Sequence, residues 1–315
     1  MKVLVTGASG FLGSAIASYL FSRGHDVVGV VRDKKIDIQA EEAPTTIPVG
    51  PLEKVVSWES LLGGVDCVVH CAGHAQSPRS FSPEADRAYL HKVNVELVRN
   101  IARNAVTYGV RRLIFLSSIK VLGEKTSDGI KFDEQSPYDP SGLYAETKCK
   151  GEIALIEAAA DSSLQYVILR LPIVYGAGSK GNLRSMVRLI RSGVPLPFGA
   201  IANKRSFLGL RNLVSAVDRC IEHPQVGNRI FLLSDRRALS TAELVCFIAK
   251  SVGVSERLLS VNPEILRLVG KSLGLESYVR RLVDSLEVDS SKFRNLTGWV
   301  QPFSSESEIE MMTRS

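Results

Sequence analysis

Two side chains suited to proton transfer stand four residues apart in a helix-forming stretch, Tyr144 and Lys148. Residues at positions i and i+4 of an α-helix lie on one face, one turn apart. A lysine ammonium beside a phenol favours the phenolate and lowers the tyrosine pKa from its reference value of about 10. The spacing therefore predicts a tyrosine that exchanges protons near neutral pH. An ordinary pair on a surface helix has the same spacing and is the alternative.

A pair of serines, Ser117 and Ser118, follows a short apolar run that indicates a buried strand. In open parallel sheets, ligands bind outside the carboxyl ends of the strands. A serine hydroxyl at that place can donate a hydrogen bond to a substrate oxygen. The position of the two serines therefore adds weight to the tyrosine and lysine as parts of a reactive site.

Three glycines, Gly7, Gly10 and Gly13, occupy the junction between the first apolar run and a helix-length segment. Glycines at such a junction allow a sharp turn, a close approach of the backbone to a pyrophosphate, and tight packing of the helix on the sheet. The free N–H groups at the start of the helix then hold the anion. The context predicts a dinucleotide site that includes Phe11 and Leu12, and a plain tight turn is the alternative.

The end of the second predicted strand bears on the choice of dinucleotide. An acidic side chain there grips the ribose hydroxyls of NAD, whereas an arginine pairs with the 2′-phosphate of NADP. Val31 occupies the acidic position and Arg32 follows it, so the sequence favours NADP(H). NAD(H) remains possible, because a shift of one residue lets Asp33 serve as the ribose acid. Arg32 also suits stacking on the adenine or a solvated surface position.

Alternating short apolar runs and helix-length segments must position these residues. The runs are rich in Val, Ile and Leu without polar alternation, which is typical of a parallel sheet covered on both faces. The alternation predicts an α/β fold: a Rossmann-type doubly wound parallel sheet with a smaller C-terminal substrate-binding portion. The predicted strands are 3–5, 26–31, 67–70, 112–117, 166–171 and 229–233, and the predicted helices are 12–23, 83–108 and 144–160.

The length of 315 residues suggests two domains at about 150 residues each. After Tyr175 the chain passes into a glycine-rich loop and then into shorter, more basic segments. We therefore predict a dinucleotide-binding domain over 1–175, rejoined by about 206–235, and a mainly substrate-binding portion over 176–315.

The composition excludes several classes of protein. Hydrophobic residues make up 45% and charged residues 23%, which excludes a disordered or collagen-like chain. The net charge of +6 fits an anionic ligand and does not demand nucleic acid. The five cysteines are scattered without a C-x-x-C pair, so we expect no metal site, no disulfide framework and a cytoplasmic location.

The sequence also predicts how the chain relates to membranes. It has neither the layout of a signal peptide nor a run of 18 uncharged apolar residues, so we expect no stable membrane insertion. The stretch 258–282 is amphipathic and basic. A helix packed on the protein surface is the simpler interpretation of that stretch, and a helix at a membrane surface is the alternative.

The glycines, the two serines and Tyr144 with Lys148 together resemble the extended short-chain dehydrogenase/reductase family. More narrowly, they resemble its NAD-dependent epimerase/dehydratase branch, which acts on sugar nucleotides, and the resemblance spans nearly the whole chain. It implies that Tyr144 is the general acid/base, and that Lys148 holds the nicotinamide ribose and tunes the tyrosine. It also implies that Ser118 polarises the reacting oxygen, with Ser117 as the fallback if the register is off by one.

Further segments carry the same resemblance. Residues 66–73 resemble the family segment whose backbone lies along the cofactor, and residues 169–176 resemble the strand that lines the nicotinamide. Asn94 matches a helix asparagine that helps to organise the active site. The residues that these matches implicate in cofactor binding are Gly7, Gly10, Phe11, Leu12, Gly13, Arg32, Leu52, Ala72, Gly73, Asn94, Tyr144, Lys148 and Pro172.

In the second part of the chain, the resemblance implies residues that bind a nucleotide diphosphate. Asn182 resembles a contact to that group, and Arg205 and Arg281 resemble arginines that bind its phosphates, although by themselves they need only be surface charges. The implied partner is a UDP-sugar, and no nucleic acid or metal is implied. In the family, the helices that correspond to 83–108 and 142–160 pair across a two-fold axis, so a homodimer is expected.

The chain departs from the family pattern at several positions. Pro51 stands where an acid commonly touches the adenine, so that only a backbone contact from Leu52 remains. Leu122 replaces a usual tyrosine, Ile173 replaces an asparagine common in sugar-nucleotide epimerases, and Lys120 stands where small residues are usual. Leu122 and Ile173 weaken an assignment as a UDP-galactose epimerase.

Two kinds of enzyme in this family use the same glycine loop and the same serine, tyrosine and lysine. A 4-keto reductase delivers one hydride from NAD(P)H and releases the spent cofactor, whereas a 4-epimerase takes a hydride from C4, returns it and keeps NAD bound. Arg32 suits NADP and net reduction. Residues 171–182 also resemble bacterial reductases that finish UDP-N-acetylquinovosamine for surface polysaccharide. We therefore expect reduction of a UDP-4-keto-6-deoxy-N-acetylhexosamine in O-antigen biosynthesis, and the alternative is a UDP-hexose or UDP-HexNAc 4-epimerase with tightly bound NAD.

A third reading is a non-catalytic nucleotide-sensing or RNA-binding module, because fold does not fix function. The complete set of Ser118, Tyr144 and Lys148 argues against a sensor, which has no need of a proton relay. Aromatic residues are only 7% and dispersed, which argues against an RNA-binding surface.

Overall fold

The computed structural model describes residues 1–33, 43–75, 82–179 and 181–314. Lys180, which belongs to the segment 171–182 compared with reductases above, lies outside the described residues. The strands are β1 Lys2–Thr6, β2 Asp26–Val31, β3 Thr45–Pro48, β4 Cys67–His70, β5 Arg112–Ser118, β6 Gln165–Leu171, β7 Ile173–Tyr175, β8 Phe207–Gly209 and β9 Arg229–Leu232.

Helices follow most of these strands. They are α1 Phe11–Ser22, α2 Glu59–Leu62, α3 Pro83–His91, α4 Leu97–Thr107, α5 Leu143–Ala159, α6 Asn182–Arg191, α7 Leu210–Glu222, α8 Thr241–Val252, α9 Pro263–Ser272, α10 Glu276–Val283, α11 Ser291–Thr297 and α12 Ser305–Arg314. Short 3-10 turns cover Leu52–Lys54, Ile119–Val121 and Pro224–Val226, and a π-helical turn covers Lys92–Glu96.

Seven strands form the central sheet in the order β3-β2-β1-β4-β5-β6-β9, and every neighbouring pair in it is parallel. The direction in which successive strands are added to the sheet reverses between β1 and β4, where the chain crosses from one half of the sheet to the other. A crevice forms at such a reversal, outside the carboxyl ends of the strands. The predicted α/β class with a Rossmann-type parallel sheet is confirmed.

Apolar layers on both faces explain why the strands are apolar throughout. On one face, side chains of α1 and α7 such as Leu20 and Val217 pack on the strands. On the other face, side chains of α4 and α5 such as Ile101 and Leu155 do the same. All four of these side chains are fully buried. Burial of this kind holds the strand ends, and hence the loops that follow them, in fixed positions.

The helix predicted over 83–108 is two α-helices, α3 and α4, joined by the π-helical turn Lys92–Glu96. Asn94 lies in that turn and is 1% exposed. A Cβ on Gly151 of α5 would stand 2.3 Å from the Asn94 carbonyl oxygen, so the turn and α5 pack with backbones in close contact. Single π turns of this kind are frequent at functional sites.

β3 is missing from the predicted strands. It has four residues, Ile47 is its one large apolar side chain, and it forms an edge of the sheet, where one flank has no strand to pair with. The sequence pattern that reveals fully buried strands is therefore absent there.

The later part of the chain forms a second layer of structure beyond the sheet. β7 and β8 pair in parallel, and a separate core joins α6, α8 and α12 through residues such as Val187, Ile248 and Ile309. β9 returns to the central sheet and pairs with β6. The division of the chain into a domain over 1–175 and a portion over 176–315 stays a prediction. Within the described ranges, no helix combines the length and the hydropathy needed to span a membrane.

Candidate active site

The loop after β1 forms a backbone cradle that admits no side chains. Gly7 has a φ of +69°, and a Cβ there would stand 2.9 Å from the Ala72 nitrogen. A Cβ on Gly13 would stand 2.2 Å from the Gly7 carbonyl oxygen. α1 begins after Gly10 with no side-chain cap, so its first N–H groups are left for a ligand to bind. A pyrophosphate fits such a site in shape and in charge.

A buried polar pair joins the ends of β1 and β4. The Thr6 hydroxyl lies 2.7 Å from Nδ1 of His70 and accepts a 3.4 Å hydrogen bond from the Ala72 N–H. Burial lowers the pKa of His70 to about 3, with the Lys148 charge acting in the same direction, so the imidazole is neutral. This pair fixes the loop that carries Ala72 and Gly73 against the glycine cradle. The sequence signal was a histidine ending an otherwise apolar run, and our sequence analysis passed over it.

Asn94 connects that same loop to α5. Its amide nitrogen donates to the His74 carbonyl at 2.9 Å and to the Thr147 hydroxyl at 3.0 Å, and its amide oxygen accepts from the His74 N–H at 3.1 Å. A Cβ on Gly73 would stand 3.3 Å from the Asn94 amide oxygen and 3.8 Å from the Lys148 ammonium. The geometry therefore supports Asn94 as an organiser of the site, and its direct contact with a cofactor stays a prediction.

Ser118, Tyr144 and Lys148 meet where β5 ends against α5. The Ser118 hydroxyl lies close enough to the Tyr144 phenol to act on its pKa. The Lys148 ammonium donates to the Leu116 carbonyl at 2.7 Å and lies 4.0 Å from the centre of the Phe115 ring. Two hydroxyls and one buried cation thus stand together at the carboxyl end of the sheet, and they can bind and protonate one oxygen atom.

The ionisation of this group differs from the sequence-based expectation. Burial raises the pKa of Tyr144, and the nearby Ser118 hydroxyl opposes that shift. Burial lowers the pKa of Lys148 to about 8, although the charges of Glu152 and Cys71 act to raise it. The expected lowering of the tyrosine pKa by Lys148 is therefore wrong for this structure, because the ammonium is directed at Leu116 and Phe115 and burial of the phenol dominates.

The neighbouring serine serves a different network. Ser117 donates to the Glu152 carboxylate, which also accepts from the Tyr138 hydroxyl at 2.8 Å and from Nη2 of Arg170 at 2.8 Å. Glu152 is 0% exposed and Arg170 is 2% exposed. The Ser117 hydroxyl is thus committed inside the protein, and Ser118 is the serine available to a ligand. Glu152 stands four residues after Lys148, and that helical spacing was the missed signal.

Arg32 lies at the adenosine end expected of a Rossmann site, after β2. Its Nη2 stands 3.2 Å from Nε2 of His74, and the guanidinium lies near enough to the Tyr89 phenol to act on its pKa. The charge of Glu53, from the turn that holds Leu52, acts on both His74 and Tyr89. Burial and the Arg32 charge lower the pKa of His74. His74 and Tyr89, which the sequence analysis did not single out, lie beside the arginine.

Pro172 stands between β6 and β7, and Leu171 before it is the register partner of Ser118. Pro172 is buried and follows directly on the strand register that pairs β6 with the end of β5. Leu52 packs on the apolar layer beneath α4 and α5. Pro172 and Leu52 both follow the carboxyl ends of strands, the side of the sheet on which the glycine cradle also lies. A cofactor site shared by these residues requires that placement.

The three residues predicted to hold a diphosphate fall on different elements. Arg205 is 8% exposed, and its Nη1 donates to the Asp284 carbonyl at 2.8 Å. Burial, together with the charge of Arg281, lowers the pKa of Arg205, so the structure brings these two arginines near one another. Arg281 is exposed on α10, and Asn182 is the exposed first residue of α6. No cluster of three or more metal-ligating side chains occurs in the part of the chain that the structure describes.

A glycine cradle, a lysine–tyrosine pair and a strand-end serine on a doubly wound sheet are the parts expected of an enzyme that uses a dinucleotide cofactor. The comparison with known families agrees: the model of the NAD dependent epimerase/dehydratase family matches residues 3–233. The chain belongs to this family and is an enzyme of its NAD-dependent class. The family resemblance seen in the sequence is confirmed.

Curated relatives are similar over nearly the full chain. A UDP-glucose 4-epimerase of Vibrio cholerae is 36% identical over 302 residues, covering 96% of this chain and 91% of the relative. An N-acetyl-α-D-glucosaminyl-diphospho-ditrans,octacis-undecaprenol 4-epimerase of Escherichia coli O157:H7 is 24% identical, with the same two coverages. A solved UDP-glucuronic acid 4-epimerase of Bacillus cereus in complex with NAD has a TM-score of 0.78 at 18% identity, covering 100% and 98% of the chains. This last likeness is one of fold.

Proposed function

We propose that the protein is an NAD(P)-dependent oxidoreductase acting at C4 of a UDP-sugar, with Ser118, Tyr144 and Lys148 as its catalytic residues. The observation that carries the proposal is that the Ser118 and Tyr144 hydroxyls lie close together beside the buried Lys148. The relatives named as 4-epimerases of sugar nucleotides support C4 as the reacting position. The cradle of Gly7, Gly10 and Gly13 would hold the pyrophosphate of the cofactor.

The residues support a sequence of events at one carbonyl oxygen. The hydroxyls of Ser118 and Tyr144 bind the oxygen at C4 and polarise the carbonyl. The glycine cradle and Lys148 would hold a nicotinamide dinucleotide, which would supply the hydride to C4. Tyr144 donates its proton to the oxygen, and the buried Lys148 would hold the nicotinamide ribose beside it. Because burial raises the pKa of Tyr144, the phenol is protonated near neutral pH and ready to act as the acid.

For the direction of the reaction, we propose net reduction of a UDP-4-keto-6-deoxy-N-acetylhexosamine in O-antigen biosynthesis. Arg32 supports this proposal, because a guanidinium held by His74 suits the 2′-phosphate of NADP(H). A reductase must exchange its cofactor in every cycle, and NADPH is the form that drives net reductions. The residues proposed to bind the diphosphate of the substrate are Arg205, Arg281 and Asn182.

A second candidate is a UDP-hexose or UDP-HexNAc 4-epimerase with tightly bound NAD. The specific observation in its favour is the relative from Vibrio cholerae, which matches nearly the whole chain and is named a UDP-glucose 4-epimerase. In this case Tyr144 acts first as base and then as acid, and the hydride returns to the opposite face of the same sugar.

One pair of assays separates the two. The purified protein is given NADPH and a UDP-4-keto-6-deoxy-N-acetylhexosamine, and loss of NADPH absorbance is followed. In parallel, UDP-glucose and UDP-N-acetylglucosamine are incubated with the protein without added cofactor, and their epimers are sought by NMR. Stoichiometric oxidation of NADPH supports the reductase. Formation of epimers, with NAD retained in native mass spectrometry, would replace the reductase proposal by the epimerase. Inactivity in both assays would overturn the assignment of the reaction to C4.

We further propose a cytoplasmic homodimer. All five cysteines are free thiols, as suits a reducing compartment. α3, α4 and α5 lie side by side on one face, and Ile153 of α5 is 41% exposed there. Pairing of this face across a two-fold axis would cover that side chain. Sedimentation of the wild type against Ile153→Glu tests the dimer, since only a contact through α5 is broken by that charge.

A further inference from the structure

The helical hairpin formed by α9 and α10, residues 263–283, exposes an unusual amount of apolar surface. Leu268 is 71% exposed and Leu273 is 65% exposed. Large apolar side chains that remain in water at this density mark a surface that binds something apolar. The other members of the set, each at least 45% exposed, are Ile265, Val269, Leu275 and Tyr278.

The inner face of the hairpin explains why these side chains are left outside. A Cβ on Gly270 would stand 2.4 Å from Cγ2 of Val279, so the two helices approach closely through this glycine. Ile265, Leu268 and Val269 follow the i, i+3, i+4 spacing of one helix face. That face carries the exposed side chains, while Gly270 faces α10. The hairpin thus closes on itself and leaves an apolar stripe unpartnered.

The turn between the helices extends the apolar stripe. Gly274 has a φ of +68° and reverses the chain, with Leu273 before it and Leu275 after it. Leucines on both sides of a tight reversal cannot be covered by the short turn itself. Tyr278, one helical turn further on, adds an aromatic ring with a polar tip, the kind of side chain that sits where an apolar phase meets water.

The charges beside this stripe indicate what it binds. Arg267 bonds Asp284 at 2.7 Å and Arg280 bonds Glu276 at 2.6 Å, so these cations are already neutralised. Lys271 and Arg281 form no salt bridge with any residue that the structure describes. Lys271 lies between Leu268 and Leu273 in sequence, so one free cation stands among the most exposed leucines. Long cationic side chains beside apolar ones match an anionic lipid surface, where the charge meets the headgroups.

We propose that the α9–α10 hairpin docks the protein on an anionic lipid surface, with Leu268, Leu273 and Leu275 entering the boundary between headgroups and acyl chains. Amphipathic helices of this composition lie in that boundary rather than across the bilayer. Arg281 at the end of the hairpin is also near Arg205, so a docked surface would lie beside the residues proposed to bind the diphosphate. The proposal concerns where the enzyme works and does not depend on the reaction proposed above.

Co-sedimentation with vesicles tests the proposal on the full-length protein. Vesicles of phosphatidylcholine with phosphatidylglycerol are compared with vesicles of phosphatidylcholine alone. We expect the wild type to bind the anionic vesicles and to be released by high salt. The variant Leu268→Ser/Leu273→Ser should bind at least about tenfold more weakly, because two leucines no longer enter the apolar phase. Lys271→Glu should weaken binding to anionic vesicles in particular.

The control is Val300→Ser, which removes an apolar side chain of similar exposure, 66%, away from the hairpin. It should bind like the wild type, and thermal unfolding should show that all variants are folded. Three results overturn the proposal: no binding of the wild type to either vesicle, binding that the double leucine variant keeps, or self-association without vesicles that the same variant abolishes. The last result would make the hairpin a contact between copies of the chain.

Discussion

Glu152 receives the hydroxyl hydrogen bond of Ser117, and this contact separates two adjacent serines into different roles. Ser117 is directed at Glu152, whose carboxylate also accepts hydrogen bonds from the buried Arg170 and from the Tyr138 hydroxyl. Ser118, one residue later on the same strand, is directed at Tyr144. Tyr144 and Glu152 lie at different heights on the same helix, α5, so one serine can support the protein while the next faces a ligand.

The Glu152–Arg170 pair should be a principal support of this end of the sheet. Glu152→Gln leaves the Arg170 charge buried without its partner, so we expect the free energy of unfolding to fall by about 3–5 kcal/mol. The matched control on the same helix is Glu157→Gln, which loses an exposed pair with Arg99 at 3.2 Å. That variant should lose at most about 1 kcal/mol. Urea unfolding of both variants measures the difference, and equal losses would contradict the assigned support.

The two serines should respond differently to replacement by alanine. Ser118→Ala removes a hydroxyl from the reacting oxygen and should lower kcat by about tenfold to a thousandfold, with unfolding little changed. Ser117→Ala should leave kcat within a few-fold and lower the free energy of unfolding by about 1–3 kcal/mol, because Glu152 loses a buried donor. Steady-state rates and urea unfolding on both variants are compared. The opposite pattern would return the catalytic role to Ser117.

The sheet, the glycine cradle and the positions of Tyr144 and Lys148 can be predicted from the sequence alone, because each leaves a local pattern. Apolar runs without polar alternation predict buried parallel strands, and glycines at a strand-to-helix junction have few other uses. Tyr144 and Lys148 are close in sequence, so helix geometry alone brings them together. These features depend on neighbours within a few residues, which a sequence displays directly.

Contacts between segments that are distant in the chain could not be predicted from the sequence. Thr6 and His70, or Asn94 and Thr147, meet only because parallel strands and the helices on them bring their ends together. The ionisation of Tyr144 is another case, because burial by the whole fold outweighs the nearby lysine. The π turn at Asn94 likewise depends on the close approach of Gly151 and has no local signature.

Tyr144→Phe should leave a folded enzyme that binds its cofactor and barely turns over. Loss of the proton donor should lower kcat by about a hundredfold to ten-thousandfold. Cofactor affinity, followed by the fluorescence of bound NADPH, should stay within a few-fold of the wild type. Tyr108→Phe, at the end of α4, is the control and should have wild-type rates. Unchanged turnover in Tyr144→Phe would remove the tyrosine from the mechanism.

The lowered pKa of Lys148 predicts how stability depends on pH. Its pKa is 10.5 as an exposed group and about 8 in the folded protein, so between these values the unfolded chain binds more protons. The lysine's contribution to the free energy of unfolding should therefore rise from pH 8 to pH 10.5, by about 3 kcal/mol in total. The measurement is the difference between the wild type and Lys148→Met in urea at several pH values. Lys150→Met, an exposed neighbour on α5, should show no such trend.

Arg32 should decide between the two dinucleotides. Arg32→Ala removes charge-assisted hydrogen bonds to a 2′-phosphate and should raise KM for NADPH by about tenfold to a hundredfold. KM for NADH, which lacks that phosphate, should change by no more than a few-fold. The control Arg23→Ala removes an exposed guanidinium that pairs with Asp218 at 3.4 Å, and should leave both constants unchanged. Equal losses for NADPH and NADH would mean that Arg32 contacts the adenosine without reading its phosphate, and the proposed net reduction by NADPH would lose its main support.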